Sequence, residues 1–134
     1  MIGTACNLDW ICIYLEARGY HAQLMKHDHG FASISSGSDG ERFKIYAHYE
    51  DSADEYSNIR FSLFRNSDDC DLSVGQINKL NSKLPISNAY KDDDGDVNIR
   101  ASLFVTEQEM TENIFENAFM PWLSDVGAYA KVTA

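Results

Sequence analysis

Between Arg42 and Asn66 the chain twice alternates apolar and polar residues with a period of two. In Arg42–Tyr49, Phe43, Ile45, Ala47 and Tyr49 point one way, and Lys44, Tyr46 and His48 point the other. In Asn58–Asn66, Ile59, Phe61 and Leu63 share one face, and Arg60, Ser62 and Phe64 share the opposite one. Successive side chains of a strand leave opposite sides of the sheet, so the pattern demands a sheet with one buried side. Tyr20–Lys26 and Phe31–Ser36 read as two earlier strands, set off by the turn sequences His27-Asp28-His29-Gly30 and Gly37-Ser38-Asp39-Gly40. Four strands with these connections make an antiparallel meander.

Helical signals flank it. Asn7 is a cap for a first helix through about Arg18, with Thr4 as a competing start, and Gly19 stands where helices stop. Leu8, Ile11, Cys12 and Leu15 form one apolar stripe, and Trp10, Ile13, Tyr14 and Ala17 form a second beside it. The first stripe is expected to meet the chain's own sheet. Trp10, Ile13 and Tyr14 are expected at a surface that a second chain covers. Ser73 with Gln76 is a capping box for another helix, whose stripe is Val74, Ile77, Leu80 and Leu84 and whose end is Pro85.

Ser87–Asp93 and Asp96–Phe104 then pair through Asp94-Gly95, read as a two-residue type I′ turn. Val97, Ile99, Ala101 and Leu103 supply the buried face of the second of these strands. Thr106 and Glu109 form a capping box for a long C-terminal helix carrying Met110, Ile114, Phe115, Ala118, Phe119, Trp122, Val126 and Tyr129. Pro121 is expected to kink or break that helix. The order α-ββββ-α-ββ-α, without repeats or linkers, predicts a single α+β domain over residues 1–134 with an antiparallel sheet.

Charge narrows the partners. Eleven Lys and Arg against 21 Asp and Glu give a net charge of −10, and the basic residues are scattered with no two adjacent. That balance argues against nucleic acid and anionic membranes, and leaves open a basic or cationic amphipathic protein partner, with plain solubility as the simpler reading of the charge. The longest apolar run, Trp10–Leu15, is far short of a membrane span, and Met1-Ile2-Gly3-Thr4 lacks a basic leader. With only Cys6, Cys12 and Cys70 there is no disulfide framework, which fits a reducing, cytoplasmic setting.

No motif assigns catalytic, cofactor or metal residues. Asp92, Asp93, Asp94 and Asp96 surround Gly95, but an EF-hand register would put Tyr90 and Ala101 where carboxylates are required. They read as a solvated hairpin tip. His27, Asp28 and His29 offer ligand types for zinc or iron, with His21 as a third histidine, and define the alternative of a small metal- or ligand-binding protein. No nucleophile elbow, phosphate loop or dinucleotide fingerprint is present. Tyr46, His48 and Phe64 would form an aromatic patch if the face opposite the core stays uncovered, and with Trp10, Ile13 and Tyr14 they are the candidate partner-binding residues.

The helix QINKLNSKL (Gln76–Leu84), the stretch NAYKDDDGDVNIRASL (Asn88–Leu103) and the helix start TEQEM (Thr106–Met110) resemble the YbjN family. Its pattern has a Leu-Asn pair in a helix, here Leu80-Asn81, followed by a strand and an acidic Asp-Gly-Asp hairpin. The likeness runs from about Asn7 to Val126, and departs at Pro121 and in the long acidic loop Glu50–Ser57. It implies a fold like that of the type III secretion chaperones. It further implies a bacterial, non-enzymatic regulator or chaperone-like binder, with no cofactor, that acts as a homodimer on a protein partner.

Overall fold

The computed structural model describes residues 8–27, 31–38, 40–48, 58–104 and 111–133, with side chains for 9–25, 32–38, 40–47, 59–103 and 111–133. Helix α1 (Leu8–Ala17) leads into strands β1 (Ala22–His27), β2 (Phe31–Ser38), β3 (Glu41–His48) and β4 (Asn58–Arg65). Helix α2 (Val74–Asn81), strands β5 (Asn88–Lys91) and β6 (Val97–Phe104), and helix α3 (Glu112–Thr133) follow. The strands form one antiparallel sheet in the order β1-β2-β3-β4-β6-β5. This is the expected α+β architecture, with the two hairpin-rich segments meeting where β6 pairs with β4.

Register sorts the side chains by parity. One row crosses the sheet as Leu24, Ile34, Ile45, Phe61 and Ala101, on the side that carries the core. There Ile34, Ile45, Ile59, Phe61, Val97 and Ile99 are fully buried. Helix α3 supplies the cover. Phe61 stacks on Trp122 at 5.6 Å and meets Phe115 and Phe119 at 5.9 and 6.2 Å between ring centroids. Each such ring removed from water is worth roughly 1.5–3 kcal/mol, so this cluster is the main hydrophobic contribution to holding helix to sheet.

Helix ends follow the chemistry of their residues. Gly19 takes φ +85, and the bonds Gly19 N–H to Glu16 O (3.0 Å) and Tyr20 N–H to Leu15 O (3.0 Å) close α1 in a Schellman arrangement. The Ser73–Gln76 capping box is formed in both directions, at 3.1 and 2.8 Å. Helix α2 ends at Asn81, short of Pro85, because the Asn81 side chain turns to β5 and bonds both the N–H (2.7 Å) and the C=O (3.0 Å) of Ala89.

Two expectations change in the second half. The Thr106–Glu109 capping box lies outside the described residues; α3 as described opens at Glu112, with Thr111 Oγ accepting from Ile114 N–H at 3.2 Å. Pro121 neither breaks nor ends α3, which is helical from Glu112 to Thr133. The carbonyl deprived of its donor belongs to Asn117, which is exposed and open to water, so the loss falls on the solvent side. The other change is in the hairpin. Gly95 N–H bonds Asp92 O (3.0 Å) and Asp92 N–H bonds Asp96 O (3.1 Å), so Asp93 and Asp94 are the central residues and Gly95 follows them at φ +83. That is a three-residue loop with a left-handed glycine, not the two-residue type I′ turn.

A buried carboxylate ties α3 to the start of β5. Asp125 is 1% exposed, and its Oδ2 accepts from Ser87 Oγ (2.6 Å), Ser87 N–H (3.0 Å) and Ile86 N–H (3.4 Å). At the other end of the sheet Arg65 donates to Glu41 Oε1 and Thr133 Oγ1, each at 2.7 Å, and so holds the last turn of α3.

Candidate functional site: the uncovered face of the sheet

The helices pack on one side of the sheet only among the described residues, and the parity of the strands decides what the other side presents. Its rows are Met25, Ser33, Tyr46, Arg60 and Ser102, then Gln23, Ser35, Lys44, Ser62, Arg100 and Asn88. Phe64, Asn98 and Tyr90 form a third. Phe64 is 56% exposed and Met25 48%, large apolar surfaces for positions with no cover. An open depression of about 900 Å³ lies on this side, lined among others by His21, Gln23, Ser35, Arg42, Tyr46 and Phe64.

Two of the predicted partner-binding residues, Tyr46 and Phe64, both line this depression, Phe64 lying four residues along β4 from Arg60, the partner of Tyr46 in the register. The side chain of His48 lies outside the described residues; its backbone pairs with Phe31 and Asn58. Folding also gathers cations that look scattered in sequence. Arg42, Lys44, Arg60 and Arg100 all leave the sheet on this side, the Arg100 guanidinium lying 5.0 Å from the centre of the Tyr90 ring. No acidic residue occupies a described strand position on the same side. The sequence shows these cations on three separate strands; only the register reveals them as one patch, which corrects the reading of the basic residues as dispersed.

The helix-borne candidates separate. Ile13 is 69% exposed, and Trp10 is half-buried. Tyr14 is 2% exposed and belongs to the chain's own core, so its assignment to a partner surface is corrected. The reason is that α3 runs beside α1 and takes Trp10 and Tyr14 of its second stripe, leaving Ile13 and Ala17 exposed. Tyr14 packs edge-on against Phe115 at 5.2 Å, stacks on Trp10 at 5.9 Å, and donates its hydroxyl to Glu116 Oε2 at 2.9 Å. Arg18 closes over its ring at 3.9 Å. Burial first, then the bond to Glu116, pushes the Tyr14 hydroxyl up to about 12.

Other groups with chemical potential are occupied or inert. Asp92, Asp94 and Asp96 bring carboxylate oxygens within 4.8 Å of one another. Asp92 Oδ1 accepts from the N–H groups of Asp94 and Asp96 (both 3.0 Å), Oδ2 accepts from Asn98 (2.9 Å), and Asp96 accepts from Ser67 N–H (2.9 Å). These carboxylates organise the turn. Of the His27-Asp28-His29 trio, Asp28 and His29 lie outside the described residues, as does the His27 side chain. His21 precedes β1 while His27 ends it, so the two are about 20 Å apart at 3.3 Å per residue, and His21 is no third ligand. Burial raises the Cys70 thiol, more than its acidic neighbours do, and pushes Cys12 up to about 11; both are poor nucleophiles.

The architecture has a counterpart among solved structures. It is similar, over 96% of this chain and 90% of the other, to the "Crystal structure of YbjN, a putative transcription regulator from E. coli", with a TM-score of 0.55 and 14% identity. No curated protein matches in sequence. No helix among the described residues is long and apolar enough to cross a membrane. Residues 7–132 match the family model YbjN, described as "Putative bacterial sensory transduction regulator". A match over nearly the whole sequence, joined to the shared sheet-and-helix arrangement, makes this chain a member of the YbjN family.

Proposed function

We propose that this protein is a non-enzymatic regulator of the YbjN type that works by binding another protein through the uncovered face of its sheet. The observation that carries the reading is that Tyr46 and the exposed Phe64 both line the depression on a face that no helix covers among the described residues. Exposed aromatic surface of this kind is characteristic of interaction sites, where rings add contact area at little conformational cost. The family description as a regulator accords with recognition and assigns no reaction. In this reading residues 1–134 act as one cytoplasmic unit, as a homodimer in line with the chaperone-like resemblance. Affinity capture from a native lysate with the wild type and Phe64→Ser in parallel tests the binding face. A discrete protein retained by the wild type and lost with Phe64→Ser is expected; an identical set with both, or none with either, would overturn it. Sedimentation of the purified protein tests the dimer.

A further inference from the structure

We infer that the uncovered face takes an acidic, extended segment of its protein partner, with apolar side chains among the carboxylates. The inference rests on the protein-binding reading above and names the chemistry of the partner.

Four of the chain's 11 basic residues stand on this face, which leaves seven for the 21 Asp and Glu. Ser62 on β4 lies opposite Lys44 on one side and Arg100 on the other, so these two cations flank it two strands apart, at about 10 Å. Arg60 is two residues along the strand from Ser62, and Arg42 two residues from Lys44, on the same side. Ion pairs among the described residues fall elsewhere, at Arg18–Glu116, Arg65–Glu41 and Lys91–Asp71. The carboxylates at the margins, Glu41 and Asp92, are taken up by Arg65 and Asn98. Arg60 is half-buried between Tyr46 and Ser102 in the register, with its Nε enclosed. Carboxylates match these cations, and on the same face Phe64, on the strand of Arg60, and Met25, on the edge strand β1, offer apolar contacts.

The partner is a short segment and not a nucleic acid strand because the patch is small and its surroundings are acidic. Phosphates beyond the four cations would run within a Debye length, about 8 Å, of a surface holding most of the carboxylates. A peptide confines its charge to the patch.

The test uses fluorescence anisotropy with three labelled probes. They are an alternating Glu-Leu peptide of about eight residues, enough to cross six strands when extended, its Lys-Leu counterpart, and an oligothymidylate of similar length. They are titrated with the wild type and with the double variant Lys44→Glu/Arg100→Glu, both exposed positions, whose fold is checked by circular dichroism. The Glu-Leu peptide should bind the wild type and weaken by at least roughly tenfold in the double variant, with Lys-Leu binding not weakened. Absence of Glu-Leu binding, or equal binding by the two proteins, would overturn the inference. So would oligothymidylate binding more tightly than Glu-Leu and vanishing in the double variant, which would make this a nucleic-acid face. A cellular protein lost with Phe64→Ser yet retained by the double variant would sink the acidic-segment inference and leave the binding face standing.

Discussion

Gly95 and Asp92 between them build the tip of the β5–β6 hairpin. Gly95 sits at φ +83, and a side chain there would also bring its Cβ to 3.4 Å from Ser67 Cβ. A β-branched residue resists that conformation, so Gly95→Val is expected to cost about 1–3 kcal/mol in urea denaturation. An unchanged midpoint would show that the loop has another conformation open to it. Asp92 is held below its ordinary value of 3.8, mainly by the Asn98 side chain and then by the N–H groups it accepts from. A carboxyl depressed in the fold stabilises it above the unfolded value, and that share is lost as pH falls through the folded one. Asp92→Asn should therefore flatten the fall of the urea midpoint below about pH 4; an unaltered acid limb would contradict it. The glycine and the acidic cluster were legible in sequence, but the turn type was not. Distinguishing the two loops requires knowing which N–H meets which C=O, and Asp-Gly is compatible with both.

Helix α1 is buried on two sides, by the sheet through Ile11 and Leu15 and by α3 through Tyr14. A charge at either buried position costs several kcal/mol against a total of roughly 5–15, so Tyr14→Glu should unfold the protein as Leu15→Glu does. Ile13→Glu, at an exposed position, should shift stability by no more than about 0.5 kcal/mol. Thermal melts followed by circular dichroism compare the three, and a folded Tyr14→Glu would refute the packing. Asp125→Ala should cost about 1–3 kcal/mol, because the Ser87 hydroxyl and two backbone N–H groups lose a buried acceptor. Chemical denaturation of that variant measures it. Period and capping gave the elements themselves, since both are local properties. They could not tell whether the second stripe of α1 meets another chain or α3, because that contact joins residues about a hundred positions apart. Asp125 looked like an ordinary polar residue of a helix for the same reason.

At the scale of the molecule the two sides of one sheet differ in character. The side toward the helices is mainly apolar and aromatic, with its few charges bonded as in Asp125 and the Arg65–Glu41 pair, and the other side collects cations that the net charge of −10 conceals. Fold class was readable because alternation and turn residues constrain it strand by strand. The proposed binding surface was readable only in part. Tyr46, Phe64, Lys44 and Arg60 follow from parity within the meander, whereas the addition of Arg100 to the cations depends on β6 inserting beside β4.

The position of α3 also sets the order in which this protein becomes safe from aggregation during synthesis. Phe115, Phe119 and Trp122 emerge after all six described strands, at roughly 5–20 residues per second. Until they do, Phe61 lacks the rings that cover it, and a growing chain carries an incompletely covered sheet or none at all. A chain truncated after Thr111 is accordingly expected to be insoluble or held by chaperones, and adding a peptide of residues 112–133 should restore ordered circular dichroism; a soluble, cooperatively melting truncation would refute this. Sequence order and core packing are thereby linked, since the rings that cover Phe61 are the ones made after every strand described.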